Sequence, residues 1–294
     1  MRHLVGLGGM AEVWAARDID TGWDVAVKSV RGAPDSTAAQ RLRREASVTA
    51  SIDHPGVVGV RGVGDDDGRT FVVMDLLPGR DMASLLADGP LPLPRALSLL
   101  AGVGEALRAV HRTGVVHGDI KPANVMVTGE QATLIDFGIA TDPSGWGGRN
   151  SYGTTATMAP EQIRDEPLTS ATDMYSLGAL AFAALTGRSM FRHDSPQVML
   201  HHHAHTTPPR LSEVAVGVPA RLDALVADLL AKDPAGRPSV AQVCEALSAL
   251  LGAPEVRLQS APLAATRVEP LLMLDPAGTQ PMVTAGSEGL PTAA

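Results

Sequence analysis

The chain has 294 residues, 45 % of them apolar, and a single cysteine, Cys244. That length suits one large domain or two lobes sharing a cleft, with enough apolar surface for a packed interior. Asp plus Glu outnumber Lys plus Arg by 32 to 24, which argues against nucleic acid or an anionic membrane as an obligatory partner, and one cysteine excludes an internal disulfide and suits a reducing compartment.

The opening MRHLVGLGGMAEV is Gly-rich and reaches Glu12 too soon for a signal peptide. The longest apolar run, MYSLGALAFAALTG from Met174, ends before Arg188 after 14 residues, short of the roughly 18 to 20 a bilayer requires. It predicts a buried core helix in a soluble, cytoplasmic protein. Within VAQVCEALSALL, Val240, Val243, Cys244, Leu247 and Leu251 share a helical face, so Cys244 reads as buried filler.

In chain order, EVWAAR and DVAVKSV carry small and β-branched residues in partial alternation, with Thr21-Gly22 in the tight connection, and predict a hairpin. Thr37 and Gln40 have capping-box spacing and open a helix through RLRREASVTASI, which His54-Pro55-Gly56 ends. VVGVRGV and TFVVMDLL follow as strands, parted by an acidic turn over 65–68. From about residue 81 the spacing becomes helical, in MASLLADG, RALSLLAGVGEALRAVHRTG, residues 173–187 and PARLDALVADLLAKD. The expected class is α+β and bilobal. Residues 1–80 form a small, mainly β lobe with one helix, residues 81–252 a larger, mainly α lobe, and residues 253–294 a flexible tail rich in Pro, Ala and Gly.

Several motifs are superimposed on this frame. Val5-GLGGMAEV sets Gly6, Gly8, Ala11 and Val13 in the places of G-x-G-x-x-G-x-V. Glycines there let backbone amides approach a triphosphate closely. A strand follows the motif, which favours a loop folded over ATP as the bend of a hairpin rather than a Rossmann turn. In Val25-Ala-Val-Lys28, alternation turns Ala26 and Lys28 to one face. His117-Gly-Asp119-Ile-Lys121-Pro-Ala-Asn124 puts a carboxylate, an ammonium and an amide within one short loop, and Leu134-Ile-Asp136-Phe-Gly138 delivers a second carboxylate.

Together these ordered motifs resemble the bacterial branch of the eukaryotic-like serine/threonine protein kinases, from residue 1 to about 251. The resemblance implies a two-lobed fold with an ATP cleft between the lobes. It makes Lys28 the lysine that reaches the α and β phosphates and Glu45 the helix carboxylate that holds it. Asp119 would orient the substrate hydroxyl and accept its proton, Lys121 would neutralise charge on the transferred phosphoryl, and Asn124 and Asp136 would hold magnesium. Thr154 would bond the catalytic Asp and Lys, Glu161 would pair with Arg237, and Asp173 would anchor the catalytic loop. Val5, Val13, Ala26 and Met126 would sandwich the adenine, with Met74 behind it, Asp75 to Leu77 as the hinge, and Asp81 at the ribose.

HGD also opens the catalytic loop of small-molecule phosphotransferases. The segment GTTATMAPEQ, 153–162, and the KPxN spelling favour a polypeptide substrate and the serine/threonine class. A nucleotide-binding pseudokinase scaffold is the other rival, yet Lys28, Asp119 and Asp136 are all present. Departures from the pattern are Ala11 for the third Gly, Thr155 and Thr157 where Pro and Tyr are common, and Gly118 where many kinases place an arginine that clamps a phosphorylated activation loop. Basal activity independent of loop phosphorylation is therefore expected, although Ser144, Ser151, Tyr152, Thr154, Thr155 and Thr157 offer acceptors. The short lead-in before the glycines points to an upstream start.

The partners expected are protein substrates with Ser or Thr acceptors and the chain itself in trans through a transient homodimer; tail hydroxyls such as Ser260 and Thr266 could recruit a phosphopeptide-binding domain, though an inert linker is the preferred reading of the tail. His201, His202, His203 and His205 read as structural or solvated.

Overall fold

The structure, a computed structural model, describes residues 3–7, 11–137, 155–253 and 264–265. Its first five strands are β1 (His3–Leu7), β2 (Glu12–Arg17), β3 (Asp24–Arg31), β4 (Val60–Asp66) and β5 (Arg69–Asp75), all antiparallel in the order β1-β2-β3-β5-β4. Along β5 burial alternates, with Thr70, Val72 and Met74 turned inward, the period of a strand with one face on a core. The hairpin between β4 and β5 turns through Asp67 (φ 43°) and Gly68 (φ 66°). Two successive left-handed residues match the right-handed twist of the flanking strands, and Asp-Gly meets that demand at low cost.

Helix α1 (Thr37–Ala50) lies on this sheet, packing Leu42 and Ala46 against Ala26, Val30, Val72 and Met74. Its cap differs from the sequence expectation by one position. Ser36 accepts the Ala39 amide at 3.3 Å, and Gln40 donates to the Asp35 carbonyl at 2.8 Å. Either hydroxyl can cap a helix, and the one in extended backbone, Ser36 (ψ 151°), does so.

The strand expected from residue 57 begins only at Val60. Residues 56–58 instead bond across to the second lobe. Val58 N donates to Leu134 O at 2.9 Å and Leu134 N to Gly56 O at 2.8 Å, around a parallel Val57–Leu134 bridge.

The second lobe holds a three-stranded sheet, β6 (Arg80–Asp81), β7 (Val125–Thr128) and β8 (Gln131–Leu134). The short α2 (Met82–Leu86) and the long α3 (Leu93–Arg112) come before β7. After it come α4 (Pro160–Ile163), α5 (Ser170–Thr186), α6 (Pro196–His205), α7 (Leu211–Val214), α8 (Ala220–Leu229) and α9 (Val240–Gly252). The apolar run read as a core helix is α5, buried on nearly every face, as a helix apolar all round must be. Each fully buried Leu in this lobe contributes about 1.5–3 kcal/mol, and Leu97, Leu107, Leu180 and Leu185 are all fully buried. At Gly178 a Cβ would stand 2.8 Å from Leu229 Cβ, so a glycine lets α5 and α8 touch. Cys244 is buried as expected, and burial pushes its thiol pKa up to about 11.

Among the described residues no helix is long and apolar enough to cross a membrane. In the segment expected to be a flexible tail, Ala264–Ala265 pairs antiparallel with β9 (Ala215–Val216), a contact not foreseen from sequence.

Candidate active site

Strand β3 carries Lys28 out of the sheet toward α1. Its Nζ donates to Glu45 Oε1 at 2.8 Å and to Asp136 Oδ1 at 3.0 Å. Burial opposes the charge, but Asp136 and Glu45 outweigh it and hold the lysine pKa above its ordinary value. Glu45 moves upward as well, first because it is buried and then because Asp136 repels it; Lys28 and the Phe137 amide pull the other way. One ammonium shared by two carboxylates leaves the trio net negative, which raises both shifts together.

The loop after α3 places the second cluster. Lys121 Nζ donates to Asp119 Oδ2 at 2.7 Å. Asn124 Nδ2 donates to the same oxygen and to the Asp119 carbonyl, both at 2.9 Å. The one-turn 3₁₀ helix Pro122–Asn124 makes this reach possible, since it folds the Asn124 amide back onto the Lys121 carbonyl at 3.0 Å. Among the described residues Asp119 Oδ1 receives no hydrogen bond, and the side chain is one-quarter exposed.

A buried carboxylate fixes the loop from below. Asp173, fully buried in the first turn of α5, accepts the His117 amide at 2.9 Å and the Gly118 amide at 2.8 Å. His111 Nε2 lies 2.7 Å from the same carboxylate. From the other side Gln162 Nε2 donates to Gly118 O at 2.8 Å. Gly118 has φ 74°, a left-handed backbone that glycine adopts without the strain other residues carry. The residue where arginine is common therefore suits the backbone it must form.

His117 stacks on Phe137 with ring centres 4.6 Å apart. Complete burial lowers the His117 pKa, so the ring stays neutral.

The expected Glu161–Arg237 pair forms as a two-pronged bridge of 2.6 and 2.8 Å, with both side chains withdrawn from solvent. Arg237 also donates to the carbonyls of Ala171, Ala231 and Lys232. Burial pushes Glu161 up, but the Arg237 hydrogen bonds prevail and its pKa falls.

Of the nucleotide-contact expectations, Ala26 and Met74 are buried beneath the sheet, Val13, Leu77 and Met126 are half-buried, and Val5 is exposed on β1 beside Gly6. Asp75, expected in the hinge, turns its carboxylate outward to Arg61 at 2.6 Å and donates its amide to Gly59 O at 2.9 Å. Asp81, expected at a ribose, caps α2 through Ser84 N and Ser84 Oγ, both at 2.8 Å. Gly8 and Thr154 lie outside the described residues, as do Ser144, Ser151, Tyr152, Ser260 and Thr266. Thr155 and Thr157 are buried, so neither hydroxyl is presented as an acceptor. His111 and Gln162 were not foreseen, because each acts on a group at long range and carries no local motif.

A family model described as protein kinase domain matches residues 1–247. Serine/threonine-protein kinase PknH of Mycobacterium bovis (strain ATCC BAA-935 / AF2122/97) is 36 % identical over 244 residues, 81 % of this chain and 41 % of that protein. PknB of Mycobacterium leprae (strain TN) is 35 % identical over 246 residues, covering 80 % and 40 %. PknE of Mycobacterium tuberculosis (strain ATCC 25177 / H37Ra) is 37 % identical over 244 residues, covering 81 % and 43 %. The chain thus spans about two fifths of the length of these curated relatives. With strand lobe, helical lobe and both charge clusters in place, the chain belongs to the protein kinase family, in its bacterial serine/threonine branch.

Proposed function

We propose that the chain transfers the γ-phosphoryl group of MgATP to serine or threonine hydroxyls of protein substrates, itself among them. The observation that carries this reading is Lys28, held at 2.8 and 3.0 Å by one carboxylate from each lobe. Such an arrangement keeps a cation in the cleft where the α and β phosphates of a nucleotide would lie.

Asp119 is the residue for the acceptor. Its Oδ2 is committed to Lys121 and Asn124, which leaves Oδ1 to orient a hydroxyl and accept its proton. Lys121, already beside that carboxylate, offers positive charge where negative charge develops on the phosphoryl group. Asp136 and Asn124 fit a magnesium ion by donor chemistry. Both present hard oxygens, and Asn124 spends its Nδ2 on Asp119, so its Oδ1 is the atom left for the ion. When bound, magnesium would offset charge on the phosphates. The half-buried Met126 and buried Ala26 supply apolar surface for an adenine. The 155–162 segment, locked beneath the loop by Gln162 and Arg237, supports a polypeptide acceptor over a small molecule.

The test incubates the chain with labelled MgATP and a generic protein substrate beside Asp119→Ala. Transfer should fall by about 10²–10⁴-fold in the variant. Undiminished label there would remove Asp119 from its role, nucleotide binding without any transfer by the native chain would favour a scaffold, and label confined to small alcohols would favour the other phosphotransferase class.

A further inference from the structure

Helix α6 carries four histidines in its last two turns, and they are not equivalent. His203 is buried and bonded to Tyr175, with Nδ1 3.1 Å from the phenol oxygen. His202 stacks on Phe191 with ring centres 5.4 Å apart and bonds Thr206 at 2.9 Å. His201 and His205 are exposed, sit one turn apart, and hold their ring centres at 4.8 Å with an interplanar angle of 48°. Neither of these two rings has a hydrogen-bond partner among the described residues. The histidines with structural tasks are thus the inner two; the outer two face each other, and His201 also meets the edge of His202 at 6.3 Å between ring centres.

That spacing has chemical meaning. With about 2.1 Å from a metal to an imidazole nitrogen and roughly 1.1 Å more to the ring centre, two rings meeting at a square or tetrahedral corner stand about 4.5 to 5.2 Å apart. The observed 4.8 Å falls inside that range. Positions i and i+4 are adjacent on a helix surface, and this helix is fixed on its far side by buried Met199, His203 and Ala204, so little ordering is needed when an ion arrives.

We propose that His201 and His205 form an exposed two-histidine site for a borderline-soft transition-metal dication, Zn²⁺, Ni²⁺ or Cu²⁺. Imidazole suits these ions, whereas magnesium and calcium prefer oxygen. The described residues contain no cluster of three or more His, Cys, Asp or Glu arranged to hold a metal, so water fills the remaining positions and the ion exchanges freely. The site is separate from Asp136 and Asn124 in both place and ligand type.

Isothermal titration of the full chain with ZnCl₂, in saturating MgCl₂, reads the site directly. One equivalent should bind, His201→Ala and His205→Ala should each weaken it by at least about tenfold, and His193→Ala should leave it unchanged. Both ligand residues are exposed, so the variants remain folded. Cu²⁺ paramagnetic resonance supplies a second reading, with two coordinating nitrogens expected. Zinc affinity unaltered in the His201→Ala/His205→Ala double variant would overturn the proposal, as would a single-nitrogen copper spectrum, or a loss with His202→Ala as large as with His201→Ala.

Discussion

Lys28 and Asp136 stand 108 positions apart in the chain and meet at 3.0 Å, although Asp136 remains 40 % exposed while Glu45, on the same ammonium, is 15 % exposed. The two carboxylates therefore differ in freedom: Glu45 is fixed, and Asp136 is the arm open to another ligand. Lys28→Met should lower kcat/KM for ATP by about 10²–10³. Glu45→Gln should cost less, because Asp136 still holds the ammonium, and the double variant should be no worse than Lys28→Met alone. Steady-state kinetics over an ATP series measures all three.

Chelation of divalent metal with EDTA should abolish transfer, and added Mg²⁺ should restore it. Asp136→Asn should raise the Mg²⁺ concentration for half-maximal rate by at least about tenfold, since a charged hard ligand becomes a neutral one. A metal titration at fixed ATP gives the comparison.

Gly118 is held by its amide to Asp173 and by its carbonyl to Gln162, at φ 74°. Gly118→Ala should destabilise the fold by about 1 kcal/mol through the left-handed backbone, read by urea unfolding. Asp173→Ala releases the amides of His117 and Gly118 and should lower kcat by about 10²-fold with little change in KM. Because Gly118 presents no cation to a phosphate, phosphatase treatment should leave the rate unchanged.

Removing one member of the Glu161–Arg237 bridge strands a buried charge. Arg237→Ala should cost about 3–5 kcal/mol of stability. Arg237→Lys should recover only part, since an ammonium cannot match both prongs and three carbonyls. Chemical denaturation of the three proteins is the check.

Burial pushes His203 down to a pKa of about 3, with Lys232 and His202 adding repulsion. Tyr175, Lys232 and Phe191 surround it. An imidazole neutral when folded and protonated when unfolded stabilises the fold above its ordinary pKa of about 6.5, and that stability is lost as pH falls toward 3. His117 shifts the same way. Stability in metal-free buffer should drop from about pH 6.5 downward, by up to roughly 1.4 kcal/mol per pH unit for each such histidine. His203→Asn should fall less steeply between pH 6 and 4. Urea midpoints at four pH values would reveal the difference, and a flat native profile would contradict it.

The sequence was most legible where chemistry demands particular side chains at short spacing. Asp119, Lys121 and Asn124 occupy one loop, and the structure gathers them within hydrogen-bond distance. Lys28 and Glu45 were readable only from motif order, since nothing local ties a strand lysine to a helix carboxylate. Asp173 was readable as the anchor of the loop from the resemblance, and its carboxylate takes two of the loop's amides. Other contacts to the backbone left no trace: Gln162 on Gly118 O and the pairing of residues 56–58 with Leu134. The Ser36 cap was misplaced by one because Thr37 offers the same hydroxyl chemistry. Thr155 and Thr157 looked like surface hydroxyls and are buried, with Ser176 bonding the Thr157 carbonyl at 2.8 Å.

The parallel bridge at Val57 and Leu134 sets the mechanics of the cleft. The strand lobe is joined to its neighbour covalently through residues 76–79 and again, by hydrogen bonds, just beyond the end of α1. A body fastened at two points swivels about the line between them. Glu45 lies about 7.5 Å of helix from the end of α1, on the side of the second fastening, while β1 lies at the far rim of the sheet. A swing about that line would carry β1 through a wide arc and Glu45 through a narrow one, which favours keeping the lysine clasp seated.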